Sequence, residues 1–238
     1  MTKKTLNQNG KYVQKLIDII EPDFSFNHKP INRVNSPNND LNKKHVKTKQ
    51  LSQLENEINS IENCNLKKNS KNLVLGDGNI DSSIMLIGEA PNEIEDKSGL
   101  PFKGEGGNLL DKMLSAINLS RDKIYLTYSI NYRPPQDRKP TSNEIKRYSF
   151  FLKQHISIID PKIIILMGAT AMQAITNISG KISTERGKWR EIIIKNKIFP
   201  LIITYSPSYL LRFNEYKKYS WEDLKKIKKK IQDLNISI

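Results

Sequence analysis

Apolar residues recur along this chain in two periods, and the periods change in a regular order. Residues 11–20 (KYVQKLIDII) place Tyr12, Leu16 and Ile19 at helical spacing. Residues 21–50 are rich in Asn, Pro, Lys and Ser and carry no period, which reads as a flexible linker. Helical spacing resumes over 51–63 through Leu51, Leu54, Ile58 and Ile61. From Leu73 the pattern changes to short apolar runs separated by amphipathic stretches. LVLG ends at the Asp77-Gly78 turn signal, and Ile84–Ile87 is a buried-strand run closed by Gly88. Strands are also predicted at Lys123–Tyr128, Ile163–Met167, Ile192–Ile194 and Leu201–Tyr205. Helices are predicted over 106–118, 141–159, 168–176 and 220–234. Thr141 and Glu144 form the capping-box pattern at the start of 141–159.

Strands alternating with helices predict an α/β fold with a mostly parallel sheet. The division is 1–50, an N-terminal helix plus linker, and 51–238, the folded domain. Ligands of such sheets sit beyond the carboxyl ends of the strands. That rule selects three loops, GEAPNEIEDKSGLPFKGEGG after Ile87, SINYRPPQDRKP after Tyr128 and SPSYLLR after Tyr205.

Composition narrows the chemistry. The 238 residues carry a net charge of +14, with 31 Lys, 8 Arg and 24 Asn. A polyanionic partner would account for the charge, and so would the codon bias of an AT-rich genome. The excess is spread, at +6 over 1–72, +5 over 73–213 and +3 over 214–238. The KKIKKK run at Lys225–Lys230 reads as one solvated helix face. A single cysteine, Cys64, excludes an internal disulfide framework and a four-thiolate site. Three scattered histidines, His28, His45 and His155, do not form a ligand set. Ser206 has no histidine after it, which argues against a Ser-His-Asp hydrolase. No apolar run approaches ~18 residues and no hydrophobic leader opens the chain, so a cytoplasmic protein without membrane spans is expected.

In the first loop, Glu89 directly follows a buried strand, where a carboxylate suits water activation or cation stabilisation. Glu93, Glu95 and Asp96 read as ordinary loop acids. The glycines from Gly99 to Gly107 let backbone approach a ligand and open a helix whose N-terminus favours an anion. Phe102 is either a stacking platform for a flat ring or a core plug under the loop. In the second loop, Arg133 and Arg138 can fork onto phosphates, or the segment is a proline-stiffened surface turn. In the third, Leu210-Leu211 is either a wedge for a base stack or the first turn of a helix packing inward.

Taken together and in this order, GEAPNEIEDKSGLPFKGEGGNLLDKML, YLTYSINYRPPQDRKPTSNEI and SPSYLLR with a trailing WEDL resemble the bacterial family-four uracil-DNA glycosylases. The resemblance spans about residues 51–230. It implies a three-layer α/β/α fold around a central, mostly parallel four-stranded sheet. It also implies cleavage of the N-glycosidic bond of deoxyuridine flipped out of single- or double-stranded DNA, by a monomer. Gly88, Glu89, Ala90 and Pro91 would wrap the base, with Glu89 near the anomeric carbon and the attacking water. Phe102 would stack on uracil. Ser206 would act on the leaving base. Ser208, Leu210 and Arg212 would meet the DNA, Leu210 filling the gap left by the flipped base. Arg133, Arg138 and Lys139 would hold the phosphate backbone.

The sequence departs from that family at marked places. The four cysteines of the family's 4Fe–4S cluster fall on Ile61, Cys64, Tyr132 and Tyr148, and one thiolate does not hold a cluster. No cofactor is therefore expected, and Tyr132 and Tyr148 are expected to fill the space. The Asn that reads the uracil amide edge is Tyr128, which offers one hydroxyl and more bulk. The histidine that donates to the leaving base is Ser206, and the glycine after GEAP is Asn92, a residue tolerant of left-handed backbone. These changes leave two functions open, a uracil-excising repair enzyme or a DNA-binding module that has lost excision.

Overall fold

The computed structural model describes residues 37–236, and the segment expected as a helix at 11–20 lies outside them. Helix α1 (Pro37–Asn59) and the short α2 (Asn65–Asn69) precede β1 (Gly76–Gly78) and β2 (Ile84–Gly88). Then come α3 (Glu93–Ser98), α4 (Gly104–Ser115), β3 (Tyr125–Tyr128), α5 (Ser142–Ile159), β4 (Ile163–Met167) and α6 (Ala169–Thr176). The chain continues through α7 (Ile182–Glu185), β5 (Trp189–Ile194), β6 (Lys197–Thr204), α8 (Pro207–Arg212) and α9 (Lys217–Asp233).

The sheet runs in the order β1-β3-β2-β4-β6-β5. Its four central strands are parallel, as expected, and β1 and β5 are added at the edges as antiparallel partners. The parallel strands are apolar on both faces because both are covered. Met85 and Ile87 point into one core with Tyr148, Leu152 and Ile156 of α5 and with Leu54 and Ile58 of α1. Ile84 and Leu86 point into the other with Leu110 and Leu114 of α4 and Leu224 and Ile227 of α9. The alternation makes three layers, α/β/α. On α9 the lysine run behaves as read, with Lys225, Lys226 and Lys229 exposed above buried Leu224, Ile227 and Ile231.

Three local readings change. The helix expected from Leu51 begins at Pro37, so residues 37–50 are helical where composition suggested a linker. Lys47 anchors this stretch by donating to Ile80 O at 3.1 Å and Ile159 O at 2.9 Å, contacts distant in sequence. The LVLG strand shifts to Gly76–Gly78. Residues 93–98 form α3 rather than loop, because Asn92 caps its N-terminus and Glu95 returns the bond to the Asn92 N–H at 2.8 Å. Asn92 thus serves as an N-cap in extended backbone (φ −97°), not as a left-handed residue. The Thr141 and Glu144 capping box of α5 forms as predicted. Among the described residues no helix is long and apolar enough to cross a membrane.

Candidate functional site

The carboxyl ends of β2, β3, β4 and β6 converge on two adjoining cavities. The smaller, about 70 Å³, is lined by Gly88, Glu89, Ala90, Glu95, Phe102, Tyr128 and Ser206 among others. The larger, about 540 Å³ and open, is lined by Glu89, Lys139, Gly168, Lys181, Tyr205, Ser206, Tyr209 and Arg212 among others. Glu89 and Ser206 are the two residues that line both, so a carboxylate and a hydroxyl stand at the junction.

Glu89 is held there by its neighbours. The N–H of Thr170, at the start of α6, donates to Glu89 Oε1 at 3.1 Å. Gly168 (φ +106°) makes room, since a Cβ there would come within 2.3 Å of the Glu89 carboxyl carbon. The turn after β4 was not among the three loops selected from the sequence, although the strand-end rule applies to it equally. Ser206 caps α8 by accepting from Tyr209 N–H at 3.3 Å. Its own hydroxyl hydrogen stays available to donate.

The smaller cavity is occupied by the protein itself. The Tyr128 ring stacks on Phe102, with centroids 4.8 Å apart and planes 30° from parallel. Its hydroxyl donates to Glu95 Oε1 at 2.5 Å and accepts from the Phe102 N–H at 3.1 Å. Gly88 lies under both rings, where a Cβ would sit 2.5 Å from Tyr128 and 2.7 Å from Phe102. An apolar cavity that admits benzene measures about 150 Å³, so the remaining 70 Å³ does not hold a pyrimidine beside Tyr128. Phe102 is thus both a ring platform and a buried plug, 5% exposed. Its left-handed backbone (φ 52°) is held by Arg121, which donates to Phe102 O at 2.9 Å. Gly107 is needed there too, because a Cβ would clash with Phe102 O at 1.9 Å.

Glu95 and Asp96 are not ordinary loop acids. Glu95 is buried and also accepts from Asn92 and Lys103 N–H, at 2.8 and 3.2 Å. Burial pushes its carboxyl above the usual range, opposed by the Tyr128 hydroxyl and those amides. The Tyr128 phenol is held well above its ordinary value by burial, with the Glu95 charge adding to it. Asp96 accepts from the N–H groups of Lys71 and Asn72, at 2.9 and 3.1 Å, and ties the first loop to the segment before β1. The Asn92 and Glu95 capping pattern was the available signal. The partner of Glu95, 33 residues away, gave none.

The basic residues divide. Arg133 is paired with Asp137 at 2.7 Å, and Arg138 makes a two-pronged bond to Glu144 at 2.7 and 2.9 Å. The sequence expectation makes both phosphate clamps; in the fold both guanidinium groups are paired with carboxylates of the same chain at the surface. Lys139 and Arg212 face the larger cavity, joined by Lys181, which the sequence did not single out. Ser208 is exposed and lines the smaller cavity. Leu210 is 1% exposed and packs in the core, so it is not placed to enter a groove, whereas Leu211 is 37% exposed. Pro91 is buried between β2 and α3.

The residues at the cluster positions do not fit an iron–sulfur group. Cys64 is the one thiol among them, and its Sγ lies 3.3 Å from the Tyr148 hydroxyl. Tyr132 donates to Asn59 Oδ1 at 2.6 Å, and Ile61 packs against the same core. Two tyrosine rings and an isoleucine fill the space with satisfied polar groups.

Comparison with known proteins gives a consistent result. The family model of the uracil DNA glycosylase superfamily matches residues 75–225. The chain is 38% identical over 170 residues to the type-4 uracil-DNA glycosylase of Thermotoga maritima, covering 69% of this chain and 86% of that one. It is 35% identical over 181 residues to that of Archaeoglobus fulgidus (74% and 91%). It is 36% identical over 190 residues to that of Sulfurisphaera tokodaii (75% and 83%).

Proposed function

The chain belongs to the uracil DNA glycosylase superfamily, in its type-4 branch, and from that premise we propose that it excises uracil from DNA in base-excision repair. The observation that carries this reading is the junction of the two cavities. A flipped nucleotide with its base toward Phe102 and its sugar in the larger cavity brings its glycosidic bond to Glu89 and Ser206.

The chemistry follows from those two groups. Uracil departs as an anion and leaves oxocarbenium character on the sugar. The Glu89 carboxylate favours that cation and orients the attacking water, and the Thr170 N–H fixes its position. Ser206 donates to the base as negative charge builds on it. Lys139, Lys181 and Arg212 face the phosphates of the strand. Leu211, rather than Leu210, fills the stack vacated by the base. Tyr128 must swing off Phe102 before uracil enters, so excision is gated by the loss of its bond to Glu95.

The Tyr128 ring on Phe102 favours a second reading, a protein that binds DNA on this surface without excising a base. Release of free uracil from a uracil-containing oligonucleotide, measured at enzyme excess for wild type and Glu89→Ala, separates the two. Excision that depends on Glu89 supports the first. Salt-dependent DNA binding without release, unchanged in the variant, supports the second.

A further inference from the structure

Five aromatic rings run outward from the larger cavity as a contiguous row folded back on itself, since Tyr216 also meets Tyr205 at 5.2 Å and Tyr209 at 5.4 Å, edge to face. Tyr205 and Tyr209 stack at 5.2 Å with planes 9° apart, and Tyr209 meets Phe213 at 4.8 Å. Phe213 meets Tyr216 at 6.3 Å, and Tyr216 meets Tyr219 at 6.0 Å. The row starts beside Glu89, where Tyr205, Tyr209 and Tyr216 line the cavity. It ends in solvent, with Phe213 and Tyr219 each 42% exposed. We propose that this row is a stacking platform for single-stranded DNA, which leads the strand into the cleft at Glu89. The proposal rests on the DNA reading above and names the form of DNA the surface selects.

Three observations argue against a packing cluster alone. An aromatic ring contributes most when fully covered, yet the two outer rings each keep 42% of their surface in water, and Phe213 has no polar handle to place there. Cations flank the row. Arg212 lies between Tyr209 and Phe213 in sequence, and Lys217 and Lys218 lie between Tyr216 and Tyr219. Lys218 Nζ sits 5.0 Å from the Tyr219 ring centre. Arg186 also faces the Tyr219 ring, but its charge is paired with Asp223, so the cations placed to meet phosphate are Lys139, Lys181 and Arg212 at the cavity and the exposed Lys217 and Lys218 beside the outer rings. Across residues 205–221 the only carboxylate is Glu215. Rings interleaved with cations match bases interleaved with phosphates. In a duplex the base faces are already stacked on each other, so the rings gain nothing there.

The test uses uracil-free DNA, so it does not depend on excision. Fluorescence anisotropy compares a labelled single-stranded thymine oligomer with a duplex of equal length at fixed salt. Wild type is expected to bind the single strand more tightly. Phe213→Ala and Tyr219→Ala are each expected to weaken single-strand binding by roughly 5- to 150-fold and duplex binding by less than about twofold. Phe213→Leu, which keeps apolar bulk but no ring face, is expected to behave as Phe213→Ala. Equal loss on both DNA forms, no loss on either, or full recovery with leucine would overturn the platform. Binding to neither form by the wild type would sink the DNA reading itself. Absence of uracil release, with ring-dependent single-strand binding intact, would sink excision and leave the platform standing. Melting temperatures of the variants, expected within a few degrees of wild type because the rings are exposed, exclude unfolding as the cause.

Discussion

Replacing Tyr128 by Asn should turn a slow excision site into a faster one. In the native protein a base enters only from the fraction of molecules whose Tyr128 has left Phe102. Leaving breaks the hydroxyl bond to the Glu95 carboxyl at 2.5 Å and the ring stack at 4.8 Å. A hydrogen bond to a charged group contributes about 1.5–3 kcal/mol, and an aromatic pair about 0.5–1.5 kcal/mol beyond its area. The two together set a gate of about 2–4.5 kcal/mol. That corresponds to an open fraction smaller than unity by roughly 30- to 2,000-fold. Tyr128→Asn removes the gate and supplies an amide that can pair with uracil. The second-order rate constant for uracil release should rise by that factor. The substitution also empties a ring site and should cost about 3–5 kcal/mol of stability, as for other large-to-small core changes. Urea unfolding must therefore accompany the kinetics. The assay is single-turnover release from a uracil-containing single strand, read as strand cleavage at the abasic site after alkali. A folded Tyr128→Asn protein no faster than wild type would refute the gate.

Other consequences can be checked separately. Ser206→His, made in the Tyr128→Asn background, should raise release by up to roughly 100- to 1,000-fold, the effect of restoring one strong donor to a leaving group. It should also cost about 1 kcal/mol through the lost cap of α8, and no gain in rate would remove the leaving-group role assigned to position 206. Leu211→Ala should slow release from duplex by about tenfold and spare single strands. Leu210→Ala should instead cost about 2–5 kcal/mol of stability, and the reverse pattern would return the wedge to Leu210. His155 is buried against the Tyr125 hydroxyl at 2.9 Å, and burial lowers its pKa to about 3. The unfolded chain takes up a proton below ~6.5 that the folded protein refuses down to about 3. This contribution is whole above pH 6.5 and is lost as pH falls toward 3. Between pH 7 and 5 the wild type should lose about 2 kcal/mol more stability than His155→Gln, and equal losses in urea melts would contradict the assignment.

The sequence carried the parts of this fold that depend on local pattern. The runs at Ile84–Ile87 and Ile163–Met167 name parallel strands because both sheet faces are covered, and Thr141 with Glu144 names the start of α5. The three motif loops led to the cavities for the same reason, since each follows a strand end. What escaped notice depends on contacts between distant segments. Glu95 is an ordinary acid until Tyr128 lies beside it, and Arg138 is a free fork until Glu144 caps α5 toward it. Leu210 and Leu211 differ only in the phase of a six-residue helix, which neighbouring apolar residues do not set. Gly168 looked like a helix boundary, and its role is to leave room for the Glu89 carboxylate.

The central claim is that this chain breaks the glycosidic bond of deoxyuridine with Glu89. Its most direct measurement is free uracil released in a single turnover at enzyme excess from a uracil-containing single strand, by wild type and by Glu89→Ala. Wild type is expected to release uracil stoichiometrically and leave an abasic site, and Glu89→Ala to be slower by at least about 100-fold. No release by the folded wild-type protein, or equal release by the two, would contradict it.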